Sequence, residues 1–124
     1  MVRLENEYAI VELSNGIIVG TLKPDIVDKL IAQKAVISRL ELSHGKSFPF
    51  LINIKSVKTV TKEARDFLAS EEGCKGVTAA SILIDSVIGS MIGNFFIRIS
   101  KPLVPTRLFT NEEDAKKWLF KFSS

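Results

Sequence analysis

Cysteine, histidine and tryptophan each occur once in this 124-residue chain, as Cys74, His44 and Trp118. A lone cysteine excludes an intrachain disulfide, and that usage fits a reducing, cytoplasmic compartment. Two N/S ligands fall short of the four that structural zinc takes, so no metal and no cofactor is expected. Cys–His or Ser–His–Asp chemistry would have to recruit His44, and there is no Gly-x-Ser-x-Gly elbow. His44 closes an expected helix and Cys74 sits in a separate loop. No catalytic residue is assigned, and the chain is expected not to be an enzyme.

Runs of one charge are also missing. The formal net charge is only +3, from 17 basic and 14 acidic residues. There is no basic arm, and the aromatics are mostly Phe set in apolar runs. Nucleic acid is therefore not expected as a partner. The opening residues Met1 to Glu7 are charged and carry no signal-like apolar stretch. The most apolar region, Val77 to Ile99, is broken by Asp85, Asn94 and Arg98, which argues against an integral membrane span. Gly45-Lys46-Ser47 echoes the end of a phosphate-binding loop, but the upstream Gly is absent. The acidic groups Glu71-Glu72 and Glu112-Glu113-Asp114 offer charge, the second in the first turn of a helix, where it suits the dipole.

An ordinary globular composition remains, 46% apolar and 25% charged. The length suits one domain, residues 1–124, with a core of its own. Tyr8–Leu13 and Ile17–Leu22 read as strands joined at Asn15-Gly16, a tight hairpin turn. Lys23-Pro24-Asp25 stops the sheet. Ile26, Val27, Leu30, Ile31, Ala35, Ile37 and Leu42 then follow close to helical spacing, ending at His44-Gly45. Phe48–Ile54 reads as a central strand, apolar on both faces. Lys55 to Val60 reads as a loop, and Thr61 as the N-cap of a helix over Lys62–Ser70. Val77–Ile84 is a fourth strand. Ser86–Ser100 is a helix capped at Asp85-Ser86, and Thr106–Phe109 is a fifth strand. Thr110 to Glu113 matches a capping box for a last helix with Ala115, Trp118, Leu119 and Phe122 inward.

The order β-β-α-β-α-β-α-β-α predicts an α/β fold. It has a single-layer, mixed, mostly parallel five-stranded sheet with four helices, the first strand antiparallel. This order, with the stretch Leu51-Ile52-Asn53-Ile54-Lys55-Ser56-Val57-Lys58-Thr59-Val60-Thr61, resembles the STAS domain, the anti-sigma-factor-antagonist-like family with a SpoIIAA-like fold. In that family an apolar strand ends in Asp, and a loop with an apolar pair leads to a helix whose N-terminus carries a regulated Ser. Val57 and Val60 match the apolar pair. Asn53 stands at the Asp position, and Thr61-Lys62-Glu63-Ala64 replaces the usual Asp-Ser-Ser-Gly. The runs Thr61–Arg65 and Pro105–Ala115 look most like an uncharacterised bacterial STAS branch related in fold to CRAL-TRIO lipid-binding domains.

The resemblance implies a regulatory module that binds an unknown protein partner. The candidate binding loop for that partner or for an anion is Lys55, Ser56, Lys58, Thr59, Thr61 and Lys62, with Ser86 and Ser90 beside it. It lies where ligands collect at the C-terminal end of parallel strands, before a helix N-terminus. The plain alternative is a solvated loop with Thr61 as N-cap. Thr61 is also the nearest hydroxyl to the family's phospho-acceptor position. The 86–100 helix is apolar on more than one face, and Gly89 and Gly93 admit close approach. Met91, Phe95 and Phe96 serve core packing, a homodimer interface or a lipid ligand. The runner-up function is a small lipid- or apolar-ligand-binding protein.

Overall fold

The structure, a computed structural model, describes residues 2–123. Six strands form one sheet: Val2–Glu5 (β1), Ala9–Ser14 (β2), Ile17–Leu22 (β3), Phe48–Asn53 (β5), Val77–Leu83 (β7) and Thr106–Phe109 (β8), in spatial order β1-β2-β3-β5-β7-β8. The first two pairings are antiparallel and the remaining three are parallel. Ile26–Val27 (β4) and Thr59–Val60 (β6) form a separate parallel pair. The helices are Lys29–Ser43 (α1), Lys62–Ala69 (α2), Val87–Phe95 (α3) and Glu112–Phe120 (α4). Helix α3 runs on into a wide π-helical turn, Phe96–Ser100, closed by the Lys101 N–H on the Phe96 carbonyl at 3.0 Å.

The β2–β3 turn shows why the chain reverses at two residues. Ser14 pairs with Ile17, and Asn15 and Gly16 both adopt positive φ, 55° and 76°. That is the type I′ geometry whose twist matches the flanking strands.

Alternation along the strands divides the core between two faces. Val11, Ile18, Leu22, Phe50, Ile52, Ile82 and Leu108 turn toward α1, α2 and the α3 segment, alongside Ala32, Val36, Leu42, Ala64 and Phe67. Ile17, Leu51, Ala79 and Leu83 turn the other way and pack under Ala115 and Leu119 of α4. Helix α4 touches β3, β5, β7 and β8. Over the antiparallel β1–β2 edge the same face instead carries ion pairs: Arg3 with Glu5 at 3.0 Å and with Glu12 at 3.1 Å, and Lys23 with Glu5 at 2.6 Å. An antiparallel edge tolerates water on one face, whereas the parallel strands are covered on both.

Several expectations need correction. The sheet has six strands rather than five, because the charged opening segment pairs with β2. Helix α1 begins at Lys29, not after Asp25: the side chain of Asp28 accepts the Ile31 N–H at 2.9 Å as the N-cap. That leaves Ile26 and Val27 free to pair with Thr59 and Val60, so the end of the expected loop is a short strand. Helix α4 is capped by Asn111, which accepts the Asp114 N–H at 3.0 Å, rather than by Thr110. The Thr61 and Ser86 caps are as expected. Thr61 Oγ1 accepts the Ala64 N–H at 3.2 Å, and Ser86 Oγ accepts the Gly89 N–H at 3.0 Å.

Candidate functional site

Each of the parallel strands, and β3 with them, leads into a helix at the same rim. The four N-caps Asp28, Thr61, Ser86 and Asn111 therefore collect at the C-terminal ends of β3, β5, β7 and β8. The partial positive charge of four helix starts is gathered along one rim of the sheet, three on one face and that of α4 on the other.

The 55–61 segment emerges at this rim and is held there by main-chain bonds. The Asp25 carbonyl accepts the N–H groups of Lys58 (2.7 Å) and Thr59 (3.0 Å), and the Val27 carbonyl accepts that of Thr61 (3.0 Å). Asn53 Oδ1 accepts the Lys55 N–H at 2.9 Å, so Asn53 shapes the turn. Val57 is buried as an anchor, while Lys55, Ser56, Lys58 and Thr59 are exposed. Lys55 and Lys58 make no ion pair among the described residues. Lys62 does: its Nζ lies 2.8 Å from Asp66 Oδ2, and that carboxylate holds the ammonium above its ordinary pKa. The basic character of the loop thus rests on two lysines rather than three.

The adjoining strand β7 delivers Ser86 and Ser90 to the same side. Ser90 Oγ accepts from the Asn94 side chain at 3.3 Å. From Ser86 onward the outer face of α3 is apolar. Val87 (76% exposed), Met91 (66%), Phe95 and Ile99 follow at four-residue spacing, with Ile88 and Leu103 also exposed. The guanidinium of Arg65, on α2, lies 4.5 Å over the Phe95 ring and donates to the Val60 carbonyl at 2.6 Å. The three apolar candidates divide. Met91 and Phe95 face outward, while Phe96 packs against the inner core. Sequence reasoning missed Val87, Ile88 and Arg65. The signal for the first two was the helix's excess of apolar residues over the number one buried face can take.

Phe96 also lines a cavity of about 130 Å³ between the sheet and α1, α2 and α3. Its walls include Val36, Ile52, Ile54, Ala80, Ile82 and Ile92, together with Arg39 and Arg65. It falls short of the roughly 300–1,000 Å³ usual for sites that take larger ligands. His44, the left-handed C-cap of α1, and the loop around Cys74 both lie toward the opposite rim, where the Phe48 N–H meets the Gly76 carbonyl. Among the described residues no three His, Cys, Asp or Glu side chains converge on a metal-sized space. No helix there is long and apolar enough to cross a membrane.

A family model described as a domain of unknown function, DUF7793, matches residues 11–123. No curated protein matches the chain. Among solved structures, the chain is similar to an uncharacterised protein of the DUF3478 family with a SpoIIAA-like fold from Shewanella loihica PV-4. The TM-score is 0.63 and the identity 14%, covering 90% of this chain and 91% of that one. A protein of unknown function from Arthrobacter sp. FB24 aligns over 89% of this chain and 97% of its own, at 21% identity and a TM-score of 0.33.

Proposed function

We propose a binding role for this chain, which belongs to the DUF7793 family and has a SpoIIAA-like fold. It acts as a non-enzymatic, single-domain cytoplasmic module that docks reversibly on a protein partner. The contact surface joins the Lys55–Lys62 loop to the outer face of α3. The observation that carries this reading is the apolar stripe Val87, Met91, Phe95 and Ile99, left open to solvent on a helix that starts at the same rim as Lys55 and Lys58, which make no ion pair among the described residues. Grouped exposed apolar residues with a charged border are the usual anatomy of a docking surface. Lys55 and Lys58 supply charge and orientation, Ser86 and Ser90 supply hydrogen-bonding groups, and Met91 and Phe95 supply the buried contact.

Affinity capture from the source cells tests this with three baits: wild type, Lys55→Glu with Lys58→Glu, and Met91→Glu. The expected result is a partner held by wild type and lost from both variants, with far-UV circular dichroism unchanged. Retention of every partner by both variants would show that the surface is misplaced. A second copy of the chain is the simplest cover for the stripe. Sedimentation of wild type and Met91→Glu distinguishes that case, since only a self-association through α3 disappears on substitution.

A further inference from the structure

The cavity beneath α1, α2 and α3 has a charge pattern that packing alone does not require. Its walls are apolar on the sheet side and on the helix side, and among the described residues the only charged ones lining it are Arg39 and Arg65, with no Asp or Glu. Arg39 is 2% exposed and makes no ion pair among the described residues. Its two terminal nitrogens donate to neutral carbonyls, Lys75 at 2.6 Å and Gly73 at 3.0 Å, which uses two of its five N–H groups. Burial lowers its pKa to about 10, so it stays a cation at neutral pH. A buried charge is normally met by an opposite one. Arg65 is turned to the Val60 carbonyl and the Phe95 ring and is only half-buried, whereas Arg39, which also lies over the Phe50 ring, is the more deeply buried cation of the two.

We propose that this cavity is a binding site for a small apolar anion, an aromatic or short aliphatic carboxylate. The hydrocarbon part lies among Ile52, Ala80, Ile82 and Ile92, and the carboxylate meets the Arg39 guanidinium. The size limits the ligand to one small ring or a short chain: an engineered apolar cavity of roughly 150 Å³ takes up benzene, so about 130 Å³ holds the hydrocarbon part alone, with the carboxylate at the wall against Arg39. Cys74 and Val104 line both the cavity and a surface hollow bordered by Glu71, Glu72, Lys75 and Leu103, so the wall between cavity and solvent is thin there. This site is separate from the docking surface on α3 and does not depend on it.

The test is titration of the purified full chain with benzoate and with benzyl alcohol, its uncharged counterpart, followed by calorimetry and methyl NMR. Saturable benzoate binding is expected, at least roughly tenfold tighter than benzyl alcohol. It should shift the methyl resonances of Ile82 and Ile92 and the Nε–H of Arg39. Ala80→Leu, which fills the cavity from the middle of β7, should lose binding of both compounds. Equal affinity for the alcohol overturns the anion assignment. Shifts confined to the rim around Lys55 and Lys58, unaltered binding by a folded Ala80→Leu, or no saturation by about 10 mM benzoate overturns the site itself. Should Ala80→Leu fail to fold, the wild-type methyl shifts decide between cavity and rim.

Discussion

The guanidinium of Arg39 lies 5.3 Å above the centre of the Phe50 ring, so α1 and the central strand share a buried cation. The same group ties down the loop before β7 through the carbonyls of Gly73 and Lys75. One side chain therefore joins three parts of the chain that are distant in sequence. Arg39→Met keeps much of the aliphatic volume but leaves both carbonyls without their donor. The expected loss is about 3 kcal/mol, because hydrogen bonds from a charged donor contribute more than neutral ones and the abandoned acceptors stay partly buried. Urea denaturation measures it. A midpoint that does not move would mean that the guanidinium holds nothing in place.

Thr61 separates a structural from a regulatory use of the α2 start. Its hydroxyl oxygen accepts the Ala64 N–H, one of the four donors that a helix start leaves unpaired. Thr61→Ala should cost about 1 kcal/mol, and Thr61→Ser should recover most of it. A phosphate placed on Thr61 would sit at a helix N-terminus, where negative charge is favoured. Thr61→Glu should therefore fold at least as well as Thr61→Ala. Thermal denaturation of the three variants in parallel checks the order.

The elements that the sequence made legible are those whose signals are local and unopposed. Asn15-Gly16 has one good reading, Thr61 directly precedes a helical pattern, and Asp85-Ser86 narrows the next cap to two adjacent residues, of which Ser86 accepts the Gly89 N–H. Strand β1 was obscured because Arg3 and Glu5 face water on the half of the sheet that α4 does not cover, so the short Val2–Leu4 alternation looks like a charged tail. Ile26 and Val27 sit where an early helix and a two-residue strand are equally apolar. The choice is made by Asp25 and Val27 carbonyls meeting residues some thirty positions later. Thr110 and Asn111 are both good N-caps one residue apart, and the capping pattern alone does not separate them. For the candidate site, the position of the 55–61 segment was readable from strand–helix alternation. The pairing of Lys62 with Asp66, the inward turn of Phe96 and the cavity were not, since each depends on which face a side chain takes after packing.

Gly73 is required for steric reasons. A methyl group there would stand 2.2 Å from the Phe67 carbonyl oxygen and 2.8 Å from Leu68 Cα, both main-chain atoms of α2. The helix end cannot turn aside as a side-chain tip can. Gly73→Ala should cost about 1–3 kcal/mol, in the range of overpacked cores. It should also loosen the carbonyl that accepts from Arg39, so its effect and that of Arg39→Met should not add. A double-variant cycle in urea reads the coupling. Fully additive losses would separate the loop from the arginine.

The ion pairs on the open face of β1 and β2 give a pH dependence whose sign is fixed. Glu5 Oε2 lies 2.6 Å from Lys23 Nζ, and the hydrogen bond and charge of Lys23, with a smaller contribution from Arg3, hold the Glu5 carboxyl below its ordinary 4.5. In the unfolded chain these neighbours separate and the ordinary value returns. The folded state therefore binds this proton less readily. Its contribution to stability is complete above about pH 4.5 and disappears as pH falls through the lower folded value. The group is exposed, so added salt should weaken the effect. Carbon-detected NMR of the Glu5 carboxyl should show a midpoint below the ordinary range, returning upward in Lys23→Gln. The stability difference between wild type and Lys23→Gln should be present at neutral pH and absent in strong acid. An unshifted Glu5 midpoint in the wild type would mean that the short contact is not populated in solution, leaving the β1 edge to be held by its pairing with β2 and by Leu4 against the core.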